Sequence, residues 1–232
     1  FKSGDTLPPG VYPAVGFDLD DTLAVTTRPR DRLLAEACER AGAPRLSRGA
    51  YLDAHELHSG DETREPVFAA LLTDRSTDAT AADLAAAYRE VVEEALEPVP
   101  GAERAVRALA ADRRVGLLTD GPVATQRSKL AALGWTDLFD AVVVTGRLDD
   151  PKPDGRAFAA LCDALGAAPA DTAYVGDHPE RDVAGADAAG LGAVQVTYDG
   201  GPEPHPRADA VVRRDALAAE LPAALDGLEV GP

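Results

Sequence analysis

No methionine occurs anywhere in the 232 residues, not even at position 1, so the chain is expected to lack its true start, with Phe1 to Pro9 trimmed or partly disordered. Cysteine is confined to Cys38 and Cys162, far apart and outside any CxxC spacing. That excludes a disulfide framework and a thiolate zinc site, and it fits a reducing, cytoplasmic setting. No apolar run approaches the roughly 20 residues of a membrane span, and Phe1 to Gly10 has no signal-peptide layout. A soluble protein with no membrane partner is expected. Positive charge is scarce as well: 23 Lys and Arg face 40 Asp and Glu, a net charge of −17, and Lys2, Lys129 and Lys152 are the only lysines. Such a field excludes nucleic acid or an anionic membrane as the main partner. Abundant Arg, Ala and Asp with little Lys suggest a GC-rich genome or the acidic proteome of an extreme halophile. In about 1 M salt the Debye length is roughly 3 Å, so the acidic field would be largely screened there.

What is present begins with Pro13-Ala14-Val15-Gly16-Phe17, an apolar segment of strand length that runs straight into Asp18, Asp20 and Asp21. Three carboxylates at a half-buried strand end repel and desolvate one another, and they stay ionised only beside a cation or a cationic partner. Asp18 and Asp20, two positions apart, can be aimed at one pocket. The alternative is a surface Asp cluster that caps a helix.

The chain is long enough for one domain with an insertion or for two modest domains. Ala24 to Pro29 reads as a linker. Apolar residues at helical spacing then predict helices from Arg30 to Gly42, over Ala50–Leu57, Pro66–Leu72 and Ala81–Leu96, with nothing strand-like from Ala24 to Leu96. The Pro-rich exit Glu97-Pro98-Val99-Pro100-Gly101 punctuates a boundary. The expected division is therefore 1–26 plus 98–232 for an α/β core and 27–97 for a helical insert. After Gly101, helices predicted at Ala102–Ala111, Val123–Leu133, Arg156–Leu165 and Val183–Ala189 alternate with strands at Val115–Leu118, Ala141–Val144, Ala173–Val175 and Ala193–Val196. Ala210–Val212 is an edge-strand candidate, and Ala216–Leu225 a last helix bent near Pro222. Fully apolar strands alternating with helices predict a parallel sheet covered on both faces, a three-layer Rossmann-like architecture.

In such sheets the ligand lies outside the carboxyl ends of the strands. The residues there are Asp18 and Asp20; Thr119 and Asp120-Gly121; Lys152 between Pro151 and Pro153; and Gly176-Asp177 with Asp182. Carboxylates suit a hard cation, while a hydroxyl, a backbone N–H near Gly121 and one ammonium suit phosphate oxygens. Each also has a plainer reading: Thr119 to Pro122 as a helix cap, Lys152 as a solvated cation, Asp177 as turn chemistry, Asp182 as a first-turn helix acid. Their recurrence at four successive strand ends favours one phosphate and Mg²⁺ site.

Asp18-x-Asp20-x-Thr22, Thr119, Lys152, and Gly176-Asp177 with Asp182 resemble the four ordered motifs of the haloacid dehalogenase superfamily, over about Val15 to Val196. The type with a helical cap inserted after the first motif is the one resembled, and Thr27 to Pro98 is similar in position and character to that cap. The resemblance implies that Asp18 is the nucleophile and Asp20 the acid/base. It further implies Mg²⁺ held by Asp18, the backbone carbonyl of Asp20 and Asp177, with Asp182 in support, and Thr119, Gly121 and Lys152 on the phosphoryl group. The function implied is Mg²⁺-dependent hydrolysis of a small phosphomonoester, such as phosphoglycolate or a nucleotide, through an aspartyl-phosphate. A phosphosugar mutase with the same motifs and a non-catalytic Mg²⁺ and phosphate-binding module are the alternatives, and the expected assembly is a monomer or homodimer.

Departures sharpen the reading. Asp20 argues against carbon–halogen hydrolysis, and a lysine-free cap against phosphonate cleavage. Many members of that superfamily carry Asn after the motif Thr; Asp120 stands there here and is expected to contribute only its backbone. His55, His58 and Arg64 cluster between Ala50 and Leu72, either reaching the substrate or forming a solvated helix face, with Arg64 the substrate-binding candidate. His178 could touch the site or stay peripheral. Tyr51 and Trp135 are expected to pack.

Overall fold

A computed structural model describes residues 12–58 and 62–228; the expectation for Phe1 to Pro9 lies outside them. The chain divides into two compact units. One takes residues up to Val25, Pro98–Asp120 and everything from Thr136 on; the other takes Thr26–Glu97 and Gly121–Trp135.

The first unit is a six-stranded sheet in the order β5-β4-β1-β6-β7-β8, parallel at every pairing. Its strands are β1 (Ala14–Phe17), β4 (Arg114–Thr119), β5 (Ala141–Val144), β6 (Thr172–Gly176), β7 (Gly192–Thr197) and β8 (Ala210–Arg213). Helix α7 (Gly155–Leu165) starts where Asp154 accepts the Arg156 N–H at 2.9 Å. It buries Ala157, Phe158, Leu161 and Leu165 with Ala14, Leu118, Tyr174 and Ala193, which share a sheet face. The sheet comes close because Gly16 has no side chain: a Cβ there would meet Leu161 at 2.4 Å. Helices α5 (Ala102–Leu109) and α9 (Leu217–Asp226) pack on each other and on the sheet, with Pro222 inside α9. This is the expected Rossmann-like core.

Three readings change. The segment from Ala24 is not a plain linker: β2 (Ala24–Thr26) pairs with β3 (Leu96–Pro98) in a two-stranded ribbon. Strands of three residues are too short to show a period of two in sequence. The expected helix Val183–Ala189 starts earlier, as a π-helical stretch Pro179–Ala184 running into α8 (Gly185–Ala188). His178 caps it: its Nδ1 accepts the N–H groups of Glu180 and Arg181 at 3.3 and 3.2 Å. Finally α6 (Val123–Ala132), expected to cover the sheet, falls in the second unit, packed on α4 (Ala81–Glu94).

The second unit is otherwise α1 (Arg30–Arg40), α2 (Arg48–His58), α3 (Glu65–Leu72) and α4. Thr80 caps α4 by accepting the Asp83 N–H at 3.1 Å. Leu33, Leu34, Ala37, Tyr51, Phe68, Leu84, Tyr88 and Val91 fill its centre. Fully burying a Leu or Phe stabilises by about 1.5–3 kcal/mol, so this insert has a core of its own. Tyr51 and Trp135 are both buried packing residues. Cys38 and Cys162 are free and buried, and among the described residues no helix is long and apolar enough to cross a membrane.

Candidate active site

From β1 the chain steps outward to β4 and β5, then returns to place β6 on the other flank of β1. The carboxyl ends of β1, β4 and β6 therefore surround a topological switch point, where open α/β sheets leave a crevice. Phe17 is level with Leu117 and with Val175, and the Asp18 N–H donates to the Val175 carbonyl at 2.9 Å. Register alone thus brings Asp18, Thr119 and Asp177 to one end of three adjacent strands. They line a cavity of about 280 Å³ together with Asp20, Lys152 and Asp182. All lie in the first unit.

Lys152 is the hub. Its Nζ donates to Asp18 at 2.7 Å, to Asp182 at 2.6 Å and to the Tyr174 hydroxyl at 3.0 Å, so each of the ammonium's three protons has an acceptor. Tyr174 in turn donates to the Leu118 carbonyl at 2.8 Å. Asp182 accepts the His178 N–H on its other oxygen at 2.9 Å. It reaches the site because residue 176 is glycine: a Cβ at Gly176 would stand 2.5 Å from the Asp182 carboxylate.

One ammonium does not balance these acids. Carboxylate oxygens of Asp18, Asp177 and Asp182 lie within 4.8 Å of one another, all three buried. Burial raises the Asp18 carboxyl well above its ordinary range, against the pull of Lys152 and with a further push from Asp182 and Asp20. Burial, then Asp182 and Asp21, raises Asp177 to about 7. Burial alone would lower Lys152, but Asp18 and Asp182 outweigh it and hold it protonated. A crowded oxygen-only donor set whose charged form is disfavoured until another cation enters fits Mg²⁺.

Thr119 Oγ1 is buried and has no hydrogen-bond partner among the described residues, at the rim of the same cavity. A buried hydroxyl normally finds a partner, so an unpartnered one in a cavity points to a ligand. Asp120 does more than lend its backbone: its Oδ1 accepts from Thr145 Oγ1 at 3.0 Å and from the Lys152 N–H at 3.2 Å, tying the Lys152 loop to the end of β4. The expectation of a backbone-only contribution is corrected by these bonds. Asp21 sits in the left-handed region at φ +62, its N–H on the Ala24 carbonyl at 2.8 Å. His178 lines the cavity, but its Nδ1 is engaged in capping, and burial, then Arg181, lowers its pKa.

Gly121 and Arg64 belong to the second unit. Gly121 adopts φ +124, and Arg64 donates to the Tyr51 hydroxyl at 2.9 Å. His58 is exposed and His55 half-buried, its ring 5.8 Å from that of Tyr51.

Residues 12–190 match the family model described as haloacid dehalogenase-like hydrolase. The chain belongs to that family. A rat N-acylneuraminate-9-phosphatase (Rattus norvegicus) is 38% identical over 115 residues, 47% of this chain and 46% of that protein. The chain thus spans about half the length of that relative. A Methanopyrus kandleri glyceraldehyde 3-phosphate phosphatase is 29% identical over 210 residues, 84% of this chain and 88% of that one. Among solved structures, a 2-haloacid dehalogenase from Pseudomonas syringae superposes with TM-score 0.71 at 24% identity, covering 91% of this chain and 97% of the other. At that identity the likeness concerns the fold alone, and it places this haloacid dehalogenase-like chain on the fold its motifs imply.

Proposed function

We propose that this chain is a Mg²⁺-dependent phosphatase that hydrolyses a small phosphorylated metabolite through an aspartyl-phosphate. One observation carries the reading: Asp18 lies in the cavity beside the Lys152 ammonium, 2.7 Å away, and the cavity is also lined by Thr119, whose buried hydroxyl has no hydrogen-bond partner among the described residues. A nucleophile, a cation and a free donor converge where a phosphoryl group would sit.

In the first step an Asp18 oxygen forms a bond to phosphorus while the ester P–O bond breaks, and Asp20 gives its proton to the leaving oxygen. In the second, Asp20 takes a proton from water, the water oxygen bonds to phosphorus, and the Asp18–phosphorus bond breaks to release inorganic phosphate. Two carboxylates are needed because one cannot both bond to phosphorus and move the proton. Lys152 and Thr119, with the backbone N–H near Gly121, would hold the equatorial oxygens as charge develops. Asp18, Asp177 and the Asp20 carbonyl would hold Mg²⁺, with Asp182 keeping Lys152 and the loop after β6 in place. When bound, Mg²⁺ neutralises charge between an anionic nucleophile and an anionic phosphate. The helical insert would act as the cap, excluding bulk water and choosing the substrate, with Arg64 its candidate contact.

Two relatives of this chain are named as phosphatases of different phosphorylated compounds, which supports the reaction class and leaves the metabolite to experiment. The test is phosphate release from phosphoglycolate, sugar phosphates, nucleotides and p-nitrophenyl phosphate, at low and at molar salt. Release that needs Mg²⁺ and disappears in Asp18→Asn is the expected result. Turnover by Asp18→Asn at the wild-type rate would overturn the nucleophile, and Mg²⁺ binding without any release would leave a binding module. Interconversion of phosphosugar isomers without net release would make it a mutase.

A further inference from the structure

Two side chains outside the four motifs touch the frame that carries the motif carboxylates. Tyr198 directly follows β7, and Arg214 directly follows β8. The Tyr198 hydroxyl donates to Asp177 Oδ2 at 3.4 Å, while the Thr22 hydroxyl donates to the other oxygen, Oδ1, at 3.3 Å. Arg214 lays its guanidinium on the Tyr198 ring, 3.7 Å from the centroid, and its Nη1 donates to the Asp21 carbonyl at 3.1 Å. Asp21 is the described non-glycine residue with positive φ, at +62, in the turn that also presents Asp20. Three contacts therefore run from the loop after β1, through the ends of β8 and β7, to the loop after β6.

The two loops joined in this way come from separate strands and share no backbone hydrogen bond beyond that of Asp18 to Val175 among those described. An ion held between them needs their oxygens at a set separation. A left-handed non-glycine residue needs its surroundings to select it, and a guanidinium on its carbonyl does so. A hydroxyl on each oxygen of Asp177 fixes the rotation of that carboxylate. Losing a partner of this kind, one layer out from a ligand, typically costs about 10- to 100-fold in metal affinity.

We propose that Tyr198 and Arg214 are positioning residues that brace the Asp20–Asp21 turn against Asp177 and thereby set the affinity of the site for a divalent cation. The inference rests on the Mg²⁺ reading of the site and goes beyond the four motifs. Calorimetric titration of Mg²⁺ into the whole chain, without substrate, tests it for the wild type, Tyr198→Phe, Arg214→Ala, Arg214→Lys and the Tyr198→Phe/Arg214→Ala double variant. Tyr198→Phe keeps the stacked ring and loses only the hydroxyl. Each single variant is expected to bind Mg²⁺ about 10-fold more weakly. The double variant should fall short of the product of the two, because both act through one chain of contacts. Arg214→Lys should not restore affinity, since an ammonium cannot both stack flat and reach the carbonyl. In p-nitrophenyl phosphate hydrolysis the Mg²⁺ concentration for half-activation should rise in step, KM for substrate should hold, and added Mg²⁺ should restore turnover. Wild-type Mg²⁺ affinity in Tyr198→Phe and Arg214→Ala, with or without a lower melting temperature, would reduce the pair to packing and overturn the proposal. Were the wild type to bind Mg²⁺ and release no phosphate, the phosphatase reading would fall while the titration still decided the brace. A wild type that binds no divalent cation would sink both.

Discussion

The inserted stretch from Thr26 to Glu97 and the sheet unit bury different chemistry, while the other stretch of the second unit, Gly121–Trp135, buries Thr125, Gln126 and Lys129. From Thr26 to Glu97 the described buried residues are all apolar or aromatic, and charged side chains pair on the surface, as Arg40 does with Glu94. In the sheet unit Asp18, Asp177, Asp182 and Lys152 are buried together at one end of three strands. The first arrangement follows from hydrophobic burial alone. The second is costly to stability and is found where a protein needs charged groups in low dielectric, which is the physical ground for placing the chemistry in the sheet unit and shape in the insert.

That contrast can be broken by substitution. The largest effect is expected in the sheet unit: Asp20→Asn should keep the fold and lower kcat by about 10²- to 10⁴-fold, the range for losing a general acid/base, as read by steady-state phosphate release. A smaller loss would mean that the proton moves elsewhere. In the insert, Phe68 is fully buried beside Tyr51 and Tyr88, and Phe68→Ala should destabilise by about 3–5 kcal/mol in chemical denaturation. Mg²⁺ titration of that variant below its unfolding transition should match the wild type. If it does not, chemistry and shape are not divided between the units as proposed.

The third test is pH. Asp177 is raised from 3.8 to about 7, chiefly by burial. A raised carboxyl contributes stability fully below its unfolded value near 3.8, and the contribution is lost as pH climbs to about 7, where the folded group ionises at last. In EDTA, the melting temperature of the wild type relative to Asp177→Asn should therefore fall between those two values. Added Mg²⁺, which needs the ionised carboxylate, should stabilise the wild type increasingly across the same interval. A difference that is flat with pH would remove the argument that the site lacks a cation. The smallest effect belongs to the exposed Arg40–Glu94 pair on the insert, where Arg40→Ala should leave the melting temperature unchanged within error.

Much of the core was legible because fully apolar strands such as Ala141–Val144 and Val115–Leu118 alternate with helices whose apolar residues recur at helical spacing. The candidate site was legible for a related reason: in parallel α/β sheets the residue after a strand is also a residue at the site, so position in sequence stands in for position in space. The same rule carried to β7 would have reached Tyr198, and a tyrosine between Ala173 and Val175 of β6 could have signalled the buried partner that Lys152 found in Tyr174. Nothing in sequence could show the ribbon of β2 and β3, because pairing between three-residue strands is a long-range event without local pattern.

The sequence by itself determined the parallel core, the helical insert and the order in which Asp18, Thr119, Lys152 and Asp177 meet the strand ends, since those depend on periodicity and chain direction. Only the tertiary structure decided who holds whom. That one ammonium is shared by Asp18, Asp182 and Tyr174, that Asp120 turns its carboxylate to the Lys152 loop, and that Arg214 reaches Asp21 from 193 residues away are matters of strand order and side-chain rotation. Both are set by packing among distant segments, for which neighbouring residues carry no record.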